Sequence, residues 1–197
     1  MQATWCEKWR LPFRLASGII GGVNAIPHMP TAPAKPLVYL ETSFISYLTA
    51  PVSSDEAVAR RQAATHKWWE EERPKCDVFI SDVVVEESKQ GNRDRAKARL
   101  DVLERIRVVL ESDESRALTQ VLLAAHALPP NSSTDAAHIS IAAVHHADIV
   151  LTWNCRHIAN PVTLPLTAVT LNNSGYRCPA LATPMQLLEA RNERPHS

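Results

Sequence analysis

The side chains of this sequence that are best suited to chemistry are oxygen donors that follow predicted buried strands. They are Glu41, Glu86 or Glu87, Asp135 and Asn154. Open parallel sheets bind ligands at the carboxyl ends of their strands, where the strand order reverses. We therefore expect these donors to meet at one rim of a sheet. Glu86 and Glu87 are alternatives, because helix neighbours point about 100° apart and only one of them can face the rim.

Three carboxylates and one amide at a single rim predict a metal site. Carboxylates that are brought together repel each other and take up protons unless a cation compensates. Oxygen donors suit hard divalent ions, so Mg²⁺ or Mn²⁺ is the expected cofactor. A metal held in this way activates water and neutralises charge on a phosphodiester, which is how metal-dependent nucleases catalyse hydrolysis.

The cysteine and histidine patterns favour neither a zinc site nor a disulfide framework. The four cysteines contain no C-x-x-C pair, and a reducing, cytoplasmic location fits their scattered positions. His138 and His145 are seven residues apart, and His157 lies beyond a predicted strand. These separations do not match the spacing of zinc ligands, so zinc is not predicted.

The composition excludes several classes of function. The 197 residues carry 21 basic and 21 acidic side chains, which argues against a globally basic nucleic-acid binder but allows a local basic patch. Only five glycines are present, and no glycine-rich phosphate-binding motif occurs. No apolar run reaches the roughly 18 residues of a membrane-spanning helix, so no membrane partner is expected.

From Leu37 onward, strand and helix patterns alternate, which predicts an α/β fold with a central parallel sheet flanked by helices. The predicted strands cover 37–40, 78–80 and 149–152, with an edge strand near Leu181. The predicted helices cover 43–49, 55–72, 83–90, 94–107, 114–128, 133–146 and a last segment from Pro184, with a loop or short helix at 164–171. Ser53, followed by Glu56 three residues later, predicts a capping box for the second helix.

The pattern divides the chain into an extension, one domain and a tail. Residues 1–36 lack periodicity and form the predicted extension, 37–190 the domain and 191–197 the tail. The apolar stretch in the extension is interrupted and is followed by no convincing cleavage site, so secretion is not predicted. Met29 stands shortly before the first predicted strand, and we therefore consider it as an alternative start of the protein.

Three groups of residues resemble successive motifs of PIN-domain proteins, and most closely those of VapC-like ribonuclease toxins from type II toxin–antitoxin systems. The segments are VYLETSFISYL at 38–48, SDVVVEESKQG at 81–91, and TDAAHISIAA at 134–143 followed by DIVLTWNCRHI at 148–158. The resemblance extends from about Leu37 to Leu188. It implies a PIN-like three-layer domain with a central parallel sheet between helices.

The resemblance also implies an activity and a set of site residues. The family gathers acidic side chains that bind magnesium or manganese and hydrolyse RNA. By motif position, Glu41, Glu87 and Asp135 are the implied metal ligands, and Asn154 is the implied fourth catalytic residue. A cognate antitoxin protein is the implied partner, and a homodimer is a further expectation.

Two departures from the family pattern leave an alternative open. Glu41 is one methylene longer than the aspartate that is usual in the family, so a metal would sit differently or the strand end would retract. Asn154 offers a carbonyl oxygen but no charge. The alternative is therefore a catalytically degenerate PIN-like module that binds RNA or a protein without cleavage. A phospho-acceptor domain is disfavoured, because Glu41 lacks the acidic neighbour that such a site requires.

Several residues around these motifs have two possible roles. Ser43 and Thr152 either lie near the metal or only cap helices. Trp153 either contacts a base or packs against the segment that contains Cys155. Trp68 and Trp69 either stack on bases or lie in the core or at a partner interface, and the second role is the more common one for a tryptophan pair in an amphipathic helix. A basic run on the predicted helix after Glu87 is either a solvated face or a surface that steers phosphate, and it comprises Arg93, Arg95, Lys97 and Arg99.

Overall fold

The structure, a computed structural model, describes residues 35–192 and contains five parallel strands in one sheet. The strands lie in the order β3-β2-β1-β4-β5. The elements are β1 Leu37–Leu40, α1 Thr42–Thr49, α2 Glu56–Glu71, β2 Asp77–Ser81, α3 Asp82–Ser88, α4 Arg93–Leu103, β3 Arg107–Val109, α5 Asp113–Ala124, α6 Ser133–Val144, β4 Ile149–Leu151, α7 Leu164–Asn173, β5 Ala180–Ala182 and α8 Pro184–Asn192. The predicted extension and the Met29 start fall almost entirely outside the described residues.

The strand order reverses between β1 and β4. On one side of β1 lies β2, followed by β3 at the edge of the sheet. On the other side β4 pairs with β1, with Leu40 beside Leu151. All pairings are parallel, so the carboxyl ends of the strands share one rim. The position at which open parallel sheets bind ligands is therefore where β1 and β4 end.

Buried apolar strands hold the centre of this sheet. Val38, Tyr39 and Leu40 are fully buried in β1, and β4 is buried along its whole length. Parallel strands that are covered on both faces need such continuous apolar runs, because neither face contacts water. In the part of the chain that the structure describes, no helix is long and apolar enough to cross a membrane.

Helices cover the sheet in two contacting groups. Helices α1, α2, α3, α4 and α8 contact one another, and α5 contacts both α6 and α7. Trp68 of α2 is buried against Phe44 of α1, with the ring centroids 5.5 Å apart, so it belongs to the core. The predicted α/β class, with a central parallel sheet flanked by helices, is confirmed.

One predicted helix is wrong at its end, and one strand was missed. The helix predicted over 94–107 ends at Leu103, and β3 follows at Arg107–Val109. Ile106 is buried as expected from its spacing, but it reaches the core from the turn before β3. β3 is an edge strand with exposed side chains, so it carries no apolar alternation. Its position is determined by backbone pairing with the free edge of β2.

The cap of α2 also differs from the prediction. Asp55 is the residue that caps this helix, since its side chain accepts a hydrogen bond from the Val58 amide at 2.9 Å. The Ser53 hydroxyl accepts from the Asp55 amide at 3.1 Å and so orders the turn before the helix. An aspartate two residues nearer the helix takes the capping position, because Asp is as favourable there as Ser.

Candidate metal centre

Glu41 lies directly after β1, and its side chain folds back onto the start of α1. Its Oε1 accepts the Ser43 amide at 3.0 Å, which makes Glu41 the cap of that helix. Its Oε2 accepts hydrogen bonds from the hydroxyls of Ser43 and of Thr152, the latter at 2.6 Å. The extra methylene of glutamate is thus accommodated by folding back, and the carboxylate stays at the end of the strand. Only 6% of Glu41 is exposed.

Ser43 and Thr152 join the ends of β1 and β4 around this carboxylate. The Ser43 hydroxyl lies 3.3 Å from that of Thr152 and accepts the Trp153 amide at 2.7 Å. The Thr152 hydroxyl accepts the Asn154 amide at 2.9 Å. Neither hydroxyl caps a helix, since Glu41 caps α1 and a turn follows Thr152. Both hydroxyls instead orient the Glu41 carboxylate and hold the segment that leads to Asn154.

Glu87 faces the rim, and Glu86 does not. Glu86 is exposed and pairs with Lys89 at 2.6 Å on the surface of α3. Glu87 is partly buried, and its Oε2 accepts hydrogen bonds from the Thr42 hydroxyl and from His138. Helix spacing left Glu86 and Glu87 as alternatives, and the motif resemblance implied Glu87. In the structure Glu87 is the one that contacts Thr42 at the start of α1 and His138 of α6.

His138 is the site residue that the sequence argument missed. It is 1% exposed, and its Nε2 donates to Glu87 Oε2 at 3.0 Å. Its Nδ1 lies 2.7 Å from the Tyr39 hydroxyl, which lies 2.7 Å from the Ser81 hydroxyl. A signal was present, because His138 follows Asp135 by three residues on α6 and such residues share one helix face. The spacing of zinc ligands, which was the only pattern considered for the histidines, does not identify His138.

Glu41, Glu87 and His138 form a group of donors that a metal ion could bridge. One ligand atom from each lies within 4.8 Å of the other two. Ligands of Mg²⁺ lie about 2.1 Å from the ion, so opposite ligands are about 4.2 Å apart, and small side-chain rotations bring this set into range. Two carboxylates and an imidazole also match the donor chemistry of divalent ions such as Mn²⁺. The residues present therefore fit a divalent metal.

Asp135 lies beside this group and has partners of its own. Its Oδ1 accepts the Asn154 side-chain amide at 2.7 Å, and its Oδ2 accepts His157 Nδ1 at 2.7 Å. The Asn154 carbonyl oxygen in turn accepts the His157 amide at 3.1 Å. Among the described residues, Asp135 is outside the group of three donors. The structure thus brings Glu41 and Glu87 together and places Asp135 and Asn154 next to them as a hydrogen-bonded pair.

The pKa values of Glu87 and His138 are shifted in opposite directions. Burial raises the pKa of Glu87, but the hydrogen bond and charge of His138 and the Thr42 hydroxyl outweigh it, so the pKa is lowered. Burial lowers the pKa of His138, but the Glu87 hydrogen bond and the charges of Glu41, Glu87 and Asp135 outweigh it, so the pKa is raised. The site therefore stabilises positive charge next to its carboxylates.

Trp153 and Arg99 have structural contacts, whereas the other basic residues of the run are exposed. Trp153 is only 8% exposed and donates its ring N–H to the Thr65 hydroxyl at 2.8 Å, which favours packing over contact with a base. Arg99 donates to the carbonyls of Ser88 and Gln90, at 3.1 and 2.5 Å, and so ties α4 to the end of α3. The other three basic residues of the run are exposed: Arg93, Arg95 and Lys97.

The fold and the site together define a parallel α/β domain with a carboxylate and imidazole cluster at the reversal of its strand order. No family model matches the chain, and no curated protein sequence matches it. Solved structures that are similar include VapC20 from Mycobacterium tuberculosis, described as a sarcin-ricin loop cleaving toxin. That comparison has 16% identity and a TM-score of 0.49, and it covers 60% of this chain and 91% of the other.

A second similar structure is VapBC2 from Rickettsia felis bound to a DNA fragment from its promoter. It has 19% identity and a TM-score of 0.46, and the alignment covers 61% of this chain and 89% of the other.

Proposed function

We propose that the protein is a divalent-metal-dependent ribonuclease that hydrolyses phosphodiester bonds of RNA. The observation that carries this proposal is that carboxylate oxygens of Glu41 and Glu87 lie within 4.8 Å of each other at the rim. The Asp135–Asn154 pair is connected to Glu41 through Thr152, whose hydroxyl accepts the Asn154 amide and donates to Glu41. Mg²⁺ or Mn²⁺ is the proposed cofactor, with Glu41, Glu87 and Asp135 as its protein ligands. The order of the PIN-like motifs supports RNA as the substrate.

A bound divalent ion would supply charge stabilisation for the phosphate and a lowered pKa for the attacking water. The residues of the chain orient the carboxylates that would bind this ion. Thr42, Ser43 and Thr152 donate hydroxyl hydrogens to Glu41 and Glu87 and so fix the direction of both carboxylates. Positioned groups of this kind reduce the reorganisation that the reaction requires.

Asn154 has a positioning role in this proposal. Its side-chain N–H donates to Asp135 Oδ1, and its carbonyl accepts the His157 amide. Both polar ends of the amide are therefore used to orient Asp135 and the loop after β4. An uncharged residue performs this role well, because it adds no further repulsion to the carboxylates.

The biological setting that we propose is a cytoplasmic toxin–antitoxin pair, in which this chain is the toxin. The VapC-like motifs support this setting. A cognate antitoxin is the proposed partner, and the chain itself is proposed to form a homodimer. Purifying the chain with the product of any small adjacent gene, and comparing its RNA cleavage with and without that product, tests the pairing.

The second candidate is a PIN-like module that binds RNA or a protein without cleavage. Two observations favour it. Glu41 already accepts three hydrogen bonds, and Asn154 brings no charge to the fourth position. Calorimetric titration with Mn²⁺ separates the candidates, because a degenerate site binds the ion poorly.

The decisive experiment is cleavage of a mixed pool of single-stranded and structured RNA by the full chain. Cleavage is measured with Mn²⁺, with Mg²⁺ and with a chelator, and is repeated with the Asp135→Asn variant. Asp101→Asn is the matched control, because Asp101 is exposed on α4. We expect metal-dependent cleavage that Asp135→Asn abolishes and Asp101→Asn retains. Absence of cleavage by the folded protein with either metal supports the binding module instead.

A further inference from the structure

We propose that His138 Nε2 is itself a ligand of the metal, so that an imidazole nitrogen binds the ion together with the carboxylates of the proposed site. This inference rests on the metal site of the proposed function and adds a residue that the family motifs do not assign. It follows from the burial of His138, the direction of its ring and the partners of both ring nitrogens.

The ring of His138 has one nitrogen directed into the cluster. Nε2 lies 3.0 Å from Glu87 Oε2, and a ring nitrogen of His138 lies within 4.8 Å of a Glu41 carboxylate oxygen. Two ligands that bind an ion at right angles, each about 2.1 Å away, are about 3 Å apart. The separation of Nε2 from Glu87 is therefore that of neighbouring ligands around one ion.

The other nitrogen of His138 has the partner that a metal-binding histidine requires. A ligating imidazole gives up the proton on the bound nitrogen and donates from the opposite one to an outer partner. Here Nδ1 faces the Tyr39 hydroxyl, and that hydroxyl faces Ser81. Both hydroxyls can rotate. Nδ1–H can therefore donate to the Tyr39 hydroxyl, and Tyr39 can donate to the Ser81 hydroxyl, without movement of any heavy atom.

A purely structural role for His138 would place a hydrogen-bond donor where the ion has to bind. With its proton on Nε2, His138 occupies Glu87 Oε2 and shields that oxygen from a cation. Ligation removes this competition, because the ion takes the place of that proton between the same two atoms.

An imidazole nitrogen changes which ions the site prefers. Mg²⁺ favours an all-oxygen shell, whereas first-row transition ions accept nitrogen readily. The inferred site therefore binds Mn²⁺ more tightly than Mg²⁺, and this preference depends on residue 138.

Pulsed electron paramagnetic resonance of the full chain loaded with Mn²⁺ tests the inference without measuring activity. A directly bound ¹⁴N nucleus modulates the echo of Mn²⁺. Growing the wild-type protein with ¹⁵N-labelled histidine changes that modulation only if a histidine is bound, so the first result requires no variant that has to fold. His138→Gln and His157→Gln then assign the signal to one residue.

We expect a nitrogen signal that shifts with the histidine label, disappears in His138→Gln and persists in His157→Gln. Mn²⁺ that binds without a nitrogen signal overturns the role of His138 and leaves the proposed ribonuclease standing. A signal lost in His157→Gln and kept in His138→Gln also overturns it. Failure of Mn²⁺ to bind at millimolar concentration overturns the inference together with the metal-dependent function.

Discussion

At the scale of single residues, the site is built from carboxylates whose orientations are fixed by short hydroxyl side chains. Glu41 receives its hydrogen bonds from Ser43 and Thr152, and Glu87 from Thr42 and His138. Orientation of this kind matters because a carboxylate turned away from the ion contributes charge but no bond. Neighbouring acids such as Glu86, which pairs with Lys89 on the surface, are expected to be irrelevant to the chemistry.

The contrast between adjacent glutamates gives the first prediction. Glu87→Gln removes a charge from the cluster and is expected to lower RNA cleavage at least roughly a hundredfold, the usual effect of losing one stabilising group at a reaction centre. Glu86→Gln is the matched control and is expected to cleave at the wild-type rate. Single-turnover cleavage of one RNA substrate measures both. Equal rates for the two variants would remove Glu87 from the mechanism.

Tyr39 gives the second prediction. Tyr39→Phe removes the outer partner of His138 but keeps the aromatic ring, which packs against Phe79 with centroids 5.3 Å apart. Losing such a partner typically costs roughly 10- to 100-fold in metal affinity. Mn²⁺ titration calorimetry measures the loss. Tyr47→Phe is the control, because the Tyr47 hydroxyl contacts Arg61 and not the cluster, and an equal loss in that variant would contradict the assignment.

At the scale of elements, the pairing of Glu87 with His138 connects α3 to α6 across the rim. These helices follow β2 and precede β4, respectively, so one ion pair links segments from both sides of the strand-order reversal. The hydrogen bond between Thr42 and Glu87 adds the start of α1 to the same connection. Removal of the pair is therefore expected to loosen the site before it unfolds the core.

This connection gives a pH-dependent prediction for the metal-free protein. The lowered pKa of Glu87 contributes stability above its ordinary value of 4.5, and this contribution is lost as the pH falls through the lowered value. The raised pKa of His138 contributes stability below its ordinary value of 6.5, and this contribution is lost as the pH rises through the raised value. The pair thus stabilises the fold most between those two ordinary values.

Urea unfolding in the presence of a chelator, measured across this pH range, tests the prediction. The free energy of unfolding of the wild-type protein is expected to be highest between the ordinary pKa values of Glu87 and His138 and to fall on both sides of this window. His138→Gln is expected to remove the loss on the alkaline side and to lower stability within the window by about 1–3 kcal/mol, the cost of an unpaired buried polar group. An identical pH profile for the two proteins would show that the pair does not form.

At the scale of the whole molecule, charge is balanced but unevenly distributed. The 21 basic and 21 acidic residues cancel, while acidic groups gather at the rim and Arg93, Arg95 and Lys97 are exposed on α4. A nuclease with an acidic centre needs positive charge nearby to bring phosphates toward it. The exposed face of α4 is suited to this role, because α4 packs against α1 and α3, which carry two sides of the site.

The salt dependence of RNA binding gives the fourth prediction. Each phosphate contact contributes about −0.7 to the slope of log affinity against log salt for single strands. Replacing Arg93, Arg95 and Lys97 with Ala is therefore expected to reduce that slope by roughly 2. The slope is measured by fluorescence anisotropy of RNA binding at several salt concentrations. All proteins carry Asp135→Asn, so that the RNA is not cleaved during the measurement.

The control for this measurement changes net charge by the same amount elsewhere. Arg60, Lys67 and Arg105 are exposed at other places in the chain. Replacing these three with Ala is expected to leave the slope close to that of the parent. If both triple variants reduce the slope equally, net charge alone guides RNA, and the surface of α4 has no special role.

The local sequence pattern was sufficient to predict most of the strands and helices. The alternation of apolar runs with helical spacing predicted β1, β2 and β4 with the helices between them, because buried parallel strands must be continuously apolar. It failed at β3, whose exposed residues pair with β2 through the backbone and carry no periodic signal. Edge strands of this kind are determined by the free edge of a neighbour, which is a property of the assembled sheet.

The sequence by itself determined the class of fold, the strand ends that carry acids and the chemistry those acids favour, because residue type and spacing fix burial and local structure. The motif resemblance already implied Glu87 rather than Glu86. Only the tertiary structure paired Asp135 with Asn154 and placed His138 against Glu87 across 51 residues of sequence. These outcomes depend on the angles at which α3 leaves the sheet and α6 approaches it. Such angles are set by side-chain packing between distant segments, which no local pattern encodes.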